Sequence, residues 1–304
     1  MKRVLLTGAT GFIGRYCLPL LSARSYEVYA VSSKTPLKNS SDVHWHQANL
    51  LDQRQVSDLI AKVQPTHLLH LAWFTNPGEY WSSVENLRWV QAGLDLLLAF
   101  VLHGGQRAVF AGTCAEYDWK YGYCSEQLTP LKPVTLYGSC KHALQVMTDA
   151  LTRQSGFSTA WGRIFYLYGP HEHPNRLISS VIRSILQEKP VRCSHGNQIR
   201  DFLYVQDVAG AFVTLLESDV IGPVNIASGH PVTLREIIFK IAEKLNREDL
   251  IHLGMIPTPV NDPHLLVADT NRLFNKVGWL PKHDLDRGLE KTILWWSNQL
   301  GLVK

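Results

Sequence analysis

Tyr137 and Lys141 stand four residues apart in a stretch, Leu136 to Gln154, whose apolar spacing predicts a helix. Residues at that spacing project from one helix face, so a phenol and an ammonium would sit side by side. A phenol at its ordinary pKa of ~10 is a poor acid or base at neutral pH, but a neighbouring cation favours the phenolate and lowers that value. Such a pair suits proton exchange with a substrate oxygen. The Y-x-x-x-K spacing by itself equally describes a surface pair on a long helix. Thr113 adds to it, in the run Phe110-Ala111-Gly112-Thr113-Cys114-Ala115-Glu116-Tyr117 at the end of a predicted strand. Ligands of parallel α/β sheets collect beyond the carboxyl ends of the strands, so a hydroxyl there faces the cleft and can hydrogen-bond the reacting oxygen.

The elements that must position these groups alternate along the first half of the chain. Short β-rich runs at Arg3 to Leu6, Glu27 to Val31, Val43 to Gln47, His67 to Leu71, Ala108 to Ala111 and Thr159 to Ile164 predict strands. Helical patterns at Phe12 to Ala23, Gln53 to Val63, Ser83 to His103 and Leu136 to Gln154 lie between them. This is the signature of βαβ units, and six strands suffice for a Rossmann-type doubly wound parallel sheet. After Ile164, Gly169-Pro170, Pro174, Pro190 and Gly196 punctuate shorter elements, with further β-rich patches at Asp201 to Val205 and Pro223 to Ala227. The expected division is residues 1–165 plus about 199–227 as a dinucleotide-binding domain, and about 166–198 plus 228–304 as a smaller, partly interleaved substrate lobe.

Val4-Leu5-Leu6 runs directly into Thr7-Gly8-Ala9-Thr10-Gly11-Phe12-Ile13-Gly14 before a helical pattern begins. In such a turn one glycine permits the sharp bend, a second lets the backbone approach a pyrophosphate and a third allows close helix packing. The helix N-terminus then offers unpaired N–H groups to the anion. Position between strand and helix gives the motif its weight; the spacing is G-x-x-G-x-x-G rather than G-x-G-x-x-G. At the end of the second strand an acid would bind the ribose 2′-hydroxyl of NAD and repel a 2′-phosphate. The residues there are Ser32, Ser33 and Lys34, which suit NADP(H), with NAD(H) as the alternative if they are plain loop residues.

The 304 residues are 45% hydrophobic and 18% charged, the balance of a globular protein rather than a disordered one. The net charge of +4 comes from scattered Lys and Arg, without the basic stripe that nucleic-acid binding requires. Cys17, Cys114, Cys124, Cys140 and Cys193 form no C-x-x-C pair and no regular framework, so no metal site or disulfide scaffold is signalled. No apolar stretch approaches the ~20 residues of a membrane span, and the N-terminus lacks the pattern of a signal peptide. The expectation is a soluble, cytoplasmic protein without a membrane or nucleic-acid partner.

The chain resembles the extended short-chain dehydrogenase/reductases, in particular the NAD-dependent epimerase/dehydratase group acting on nucleotide sugars. The resemblance spans nearly the whole chain: TGATGFIG at 7–14, HLAW at 70–73, Asn86, GTCAEY at 112–117, YGSCK at 137–141, YGP at 168–170, RDFLYVQDVA at 200–209 and NIASG at 225–229. It implies that Thr113, Tyr137 and Lys141 act as a Ser/Thr-Tyr-Lys triad, with Lys141 also holding the nicotinamide ribose hydroxyls. Gly8, Thr10, Gly11, Phe12, Ile13 and Gly14 would bind the cofactor, Leu71, Ala72 and Trp73 would lie along it, and Asn49 and Leu50 near its adenine, although Asn49 stands where the family has Asp. Asn86 matches a position that shapes the active site; the alternative is a solvated helix residue.

The resemblance also implies a reaction. The family's 4,6-dehydratases place an Asp-Glu pair directly after the catalytic Thr, and Cys114 and Ala115 stand there instead, which disfavours dehydration. With Ser32-Ser33-Lys34 favouring NADPH, the first expectation is net reduction of a nucleotide-linked 4-keto-6-deoxyhexose, as in deoxysugar biosynthesis. The alternatives are a 4-epimerase with tightly bound NAD and a non-catalytic NADP-binding sensor. Cys114, Glu116, Tyr166, Arg176 and Arg200 are the candidate substrate contacts. Arg200 matches a phosphate-binding position and a guanidinium can bind phosphate bidentately; the alternative is an ion pair with Asp201 or Asp207. Glu116 has a structural hydrogen bond as its alternative, and Arg176 a helix cap. Tyr166 replaces an Asn, and His264 lies where an Arg is usual. His171-Glu172-His173 lacks a third ligand and signals a substrate loop rather than a metal site. Trp295-Trp296 reads as core or subunit interface, and a helix-mediated homodimer would match the family.

Overall fold

The leucine- and valine-rich runs read as strands are buried on both faces, as parallel strands between two helix layers must be. The computed structural model describes residues 2–34, 43–258 and 262–302. Its first half runs β1 (Arg3–Thr7), α1 (Gly14–Ser22), β2 (Glu27–Ser32), β3 (Val43–Gln47), α2 (Gln53–Val63), β4 (His67–His70), α3 (Glu85–Leu102), β5 (Arg107–Thr113), β6 (Tyr123–Cys124), α4 (Leu136–Ser155) and β7 (Ser158–Ile164). The second half runs β8 (Tyr166–Tyr168), α5 (Leu177–Leu186), β9 (Val191–Arg192), β10 (Ile199–Tyr204), α6 (Val205–Glu217), β11 (Gly222–Ile226), β12 (Pro231–Thr233), α7 (Leu234–Lys244), β13 (Ile251–His252), β14 (Leu265–Ala268), α8 (Asn271–Asn275) and α9 (Leu285–Gln299).

Seven strands form one parallel sheet in the order β11-β7-β5-β4-β1-β2-β3. The fold is therefore the Rossmann-type doubly wound α/β sheet, enlarged from the six expected strands by β11. The chain reverses direction across the sheet between β1 and β4, and the crevice beyond the carboxyl ends of strands at such a reversal is where these sheets bind ligands. Helices α1 and α6 pack on one face, through Cys17, Leu21, Val208 and Phe212. On the other face, α2, α3 and α4 supply Val56, Ile60, Leu96, Phe100 and Leu144. Among the described residues no helix is long and apolar enough to cross a membrane.

A second sheet, in the order β12-β10-β14-β6 with β8 beside β10, stands next to the first. Segment 199–227 is thus divided: β10 joins the second sheet, whereas β11 edges the first and α6 packs on it. Helices α5, α7 and α9 build a separate core with β10 from Ile178, Ile182, Ile238, Ile241 and Leu289. One buried amide spans the two sheets. Asn225, in β11, donates Nδ2 to the Cys124 carbonyl at 2.9 Å and to the Asp269 carbonyl at 3.0 Å, and its Oδ1 accepts from the Tyr117 hydroxyl at 2.7 Å.

Candidate active site

The turn after β1 is tight enough to explain its glycines. Gly8 has φ +67°, the left-handed region, and a Cβ there would come within 2.9 Å of the Ala72 nitrogen. A Cβ on Gly14 would overlap the Gly8 carbonyl oxygen, so the third glycine lets α1 start directly against the turn. The Thr7 hydroxyl accepts from Leu71 N at 3.2 Å and Ala72 N at 3.3 Å and bonds His70 Nδ1 at 2.8 Å, which draws the segment after β4 alongside the turn. Thr10 and Gly11 are exposed, Phe12 and Ile13 half-buried. Ile13, at the N-cap of α1, makes no side-chain cap, and the positive end of the helix dipole faces the turn, as at an anion site. The cradle fits a dinucleotide pyrophosphate.

Ser32 ends β2, buried, and its hydroxyl accepts from Lys34 N at 3.2 Å, while Ser33 and Lys34 are exposed. Asn49 is exposed with its Oδ1 accepting from Leu51 N at 3.1 Å, and Leu50 is buried in the core.

The Thr135 hydroxyl accepts from Gly138 N at 3.0 Å and caps α4, which sets Tyr137 and Lys141 in its first two turns. Tyr137 is buried, its ring edge-on to Tyr80 at 4.9 Å and Trp81 at 5.8 Å, with Thr113 beside it. Thr113 is itself fixed: its N–H donates to Glu116 Oε1 at 2.9 Å, and its Oγ1 accepts from Ala115 N at 3.2 Å. Lys141 is buried with Nζ donating to the Ala111 carbonyl at 2.7 Å and lying 3.7 Å from the Trp73 ring centre. The three residues singled out for chemistry meet at the carboxyl end of β5.

Burial dominates the electrostatics of this ligand-free site. Burial, then the neighbouring Tyr80, pushes the Tyr137 phenol above its ordinary value, although Thr113 opposes this. Burial also pulls Lys141 down to about 7, with Glu116 opposing. In the ligand-free site, desolvation penalises the charged form of both groups. At neutral pH Tyr137 keeps its proton. His70, buried at the end of β4, is pulled down to about 3 by burial and then Lys141, so it is neutral.

Two substrate candidates are corrected. Glu116 is fully buried and pairs with Arg163, Oε2 to Nε at 2.7 Å, while its Oε1 accepts from Trp161 Nε1 at 2.9 Å as well as from Thr113 N. It supports Thr113 from behind and touches no cleft. Arg200 is buried and engaged, donating to Asp262 at 2.6 Å and to the Ile199 carbonyl at 2.9 Å. Its partner is Asp262, not Asp201, which accepts from Ser228 and Gly229, nor Asp207, which accepts from Lys282 and His283. Asn86 is buried rather than solvated.

The other substrate candidates take varied places. Cys114 is buried, and burial pushes its thiol up. Tyr166 packs on Phe202 and under the Arg200 guanidinium. Arg176 stands at the N-cap of α5 without capping it; its guanidinium lies over the Tyr80 ring and donates to the Tyr80 hydroxyl at 3.3 Å. Glu172 is buried and accepts from Ser179 Oγ at 2.7 Å, and His171 stacks on Trp295 at 4.7 Å. Trp296 is buried in the second core. The aromatic wall of Tyr80, Trp81 and Trp119 beside Tyr137 was not anticipated; its signal was the Tyr80-Trp81 pair just ahead of α3.

The model of the NAD dependent epimerase/dehydratase family matches residues 4–227. The chain belongs to that family. It is 26% identical over 311 residues to UDP-glucuronic acid decarboxylase 1 of Danio rerio, an alignment covering 98% of this chain and 73% of the relative. To human dTDP-D-glucose 4,6-dehydratase it is 25% identical over 318 residues, covering 97% and 90%. The crystal structure of Thermus thermophilus UDP-glucose 4-epimerase in complex with NAD superposes with a TM-score of 0.84 at 26% identity, covering 97% of this chain and 98% of that one. These family members carry three different reactions on one scaffold, so the reaction of this chain has to be argued from its own site.

Proposed function

We propose that this protein reduces the keto group of a nucleotide-linked 4-keto-6-deoxyhexose, with NADPH as the reductant. The observation that carries the reading is the buried Tyr137, protonated at neutral pH and standing beside Thr113 at the carboxyl end of β5. A reduction needs a proton donor at the carbonyl oxygen, whereas oxidation of a sugar hydroxyl starts with a base. NADPH, when bound, supplies the hydride. Tyr137 donates its proton to the substrate oxygen, Thr113 orients that oxygen, and Lys141 holds ribose hydroxyls. The exposed Ser33 and Lys34 at the end of β2 favour the 2′-phosphate, with no carboxylate among residues 32–34 to repel it. Cys114 and Ala115, both buried beside Thr113, offer no acid-base pair for dehydration. The nucleotide part of the substrate is supported by the relatives, whose names specify UDP- and dTDP-linked sugars.

The NAD-bound epimerase of similar fold favours a second reading, 4-epimerisation. Stoichiometric NADPH oxidation with a 4-keto nucleotide sugar supports reduction; interconversion of two nucleotide sugars without net oxidation overturns it. Tyr137→Phe should keep NADPH affinity and lower kcat by about 10²- to 10⁴-fold. Full activity of that variant would refute the assignment of the proton donor, and NADPH binding without turnover of any keto sugar by the unmodified protein would favour a sensor.

We further propose a homodimer through α3 and α4. Leu87, Leu98 and Leu102 fall on one exposed face of α3, and Val146 and Met147 are exposed on α4.

A further inference from the structure

Lys141 is a buried ammonium whose surroundings offer it little negative charge. The groups facing it are the Ala111 carbonyl of β5, the Glu116 carboxylate after β5, His70 at the end of β4, Tyr137 on its own helix and the Trp73 indole. Glu116 is already committed to the Arg163 guanidinium, Trp161 and the Thr113 N–H. His70 and Tyr137 are neutral. Among the described residues no free carboxylate lies against the ammonium, and a buried cation without compensation gives up its proton.

The Trp73 ring is the remaining partner. Lys141 Nζ stands 3.7 Å from its centre, well inside the range in which the negative face of an indole attracts a cation. The plane of that ring is not left to chance. Trp73 Nε1 donates to Asn86 Oδ1 at 2.8 Å, and the buried Asn86 donates Nδ2 to the Tyr80 carbonyl at 2.7 Å and the Ser83 carbonyl at 2.8 Å. Every hydrogen of the Asn86 amide is used, so the segment leading into α3 fixes the amide, the amide fixes the indole, and the indole faces the ammonium.

We propose that Trp73 is the positioning residue that keeps Lys141 charged and in place, its Asn86-anchored indole face doing the work of a counter-carboxylate. An aromatic face has an advantage over a carboxylate here: it attracts the ammonium without accepting its hydrogens. The Nζ hydrogens beyond the one given to Ala111 stay available to hydroxyl groups. The use of those hydrogens rests on the role given to Lys141 under the proposed function; the charge-holding itself does not.

The test is the titration of Lys141 in the ligand-free full-length protein, followed by NMR with isotope-labelled lysine and assigned by the signal lost in Lys141→Met. Trp73→Leu, which keeps apolar bulk and removes the ring, should lower the Lys141 midpoint by about one pH unit, a tenfold change in its protonation equilibrium. Trp73→Phe, which keeps a weaker ring face, should fall between. If Trp73→Leu does not fold, uniform 5-fluorotryptophan, which weakens the ring face at nearly unchanged shape, should lower the midpoint in the same direction. An unchanged or raised midpoint in the folded variants overturns the inference, whatever the enzyme turns over. A lowered midpoint supports it even if no keto sugar is reduced, so the two readings fail separately. In the active enzyme the basic limb of the kcat profile should move to lower pH with the midpoint, which a merely structural Trp73 would not produce.

Discussion

Replacing Glu116 by Gln separates a supporting role from a substrate contact. Both Glu116 and Arg163 have fully buried side chains, with Nε to Oε2 at 2.7 Å. The substitution leaves the guanidinium nearly isosterically surrounded but without its opposite charge, and one amide oxygen cannot accept from Arg163, Thr113 and Trp161 as the two carboxylate oxygens do. Breaking one side of such a buried pair costs about 3–5 kcal/mol. With an unfolding entropy of ~2.1 cal/mol/K per residue, a chain of this length would lose about 5–8 °C in Tm for that cost. Removing both charges, as Glu116→Gln with Arg163→Met, should recover much of the loss, because the uncompensated cation is gone. Calorimetry of the two single variants and the double variant gives the coupling. The reasoning is refuted if Glu116→Gln melts with the unmodified protein while the KM for a nucleotide sugar rises, since that is the signature of a substrate contact.

Gly14→Ala should abolish measurable NADPH binding by fluorescence and destabilise the fold by about 1–3 kcal/mol, since its Cβ meets backbone that cannot step aside. Burial raises Glu172 to about 7, so the fold binds its proton more tightly than the unfolded chain does. Its contribution to stability is complete below the unfolded pKa and is lost as pH rises through about 7. Glu172→Gln should therefore stabilise the protein at pH ~8 by up to about 3 kcal/mol and change little at pH ~4.5, which denaturant titration at both values checks. Leu98→Asp, on the exposed face of α3, should convert the proposed dimer to a monomer in sedimentation analysis; a monomeric unmodified protein would refute that interface.

Much of the first sheet was legible because its signals are local. β3 and α2 fall at the residues read for them, and β1, β2, β4, β5, β7 and α4 within a few residues at either end, since short apolar runs and 3.6-residue spacing report burial directly. The glycine turn was legible for the same reason: strand, turn and helix are contiguous. The partners of Glu116 and Arg200 were not legible, because Arg163 and Asp262 lie 47 and 62 residues away and pairing at that separation leaves no periodicity. Asn86 looks like any polar residue at a helix start until Trp73 and the Tyr80 and Ser83 carbonyls surround it. The burial that raises the Tyr137 phenol in the ligand-free site is a property of the whole fold that a four-residue spacing does not carry.

Asn225 belongs to one sheet by its backbone and to the other by its side chain. To separate the sheets at that point strands three hydrogen-bonding groups in a dry interior, at about 1–3 kcal/mol each. The amide therefore acts as a pin rather than a strut. Without that amide the Cys124 and Asp269 carbonyls and the Tyr117 hydroxyl lose the one partner they share.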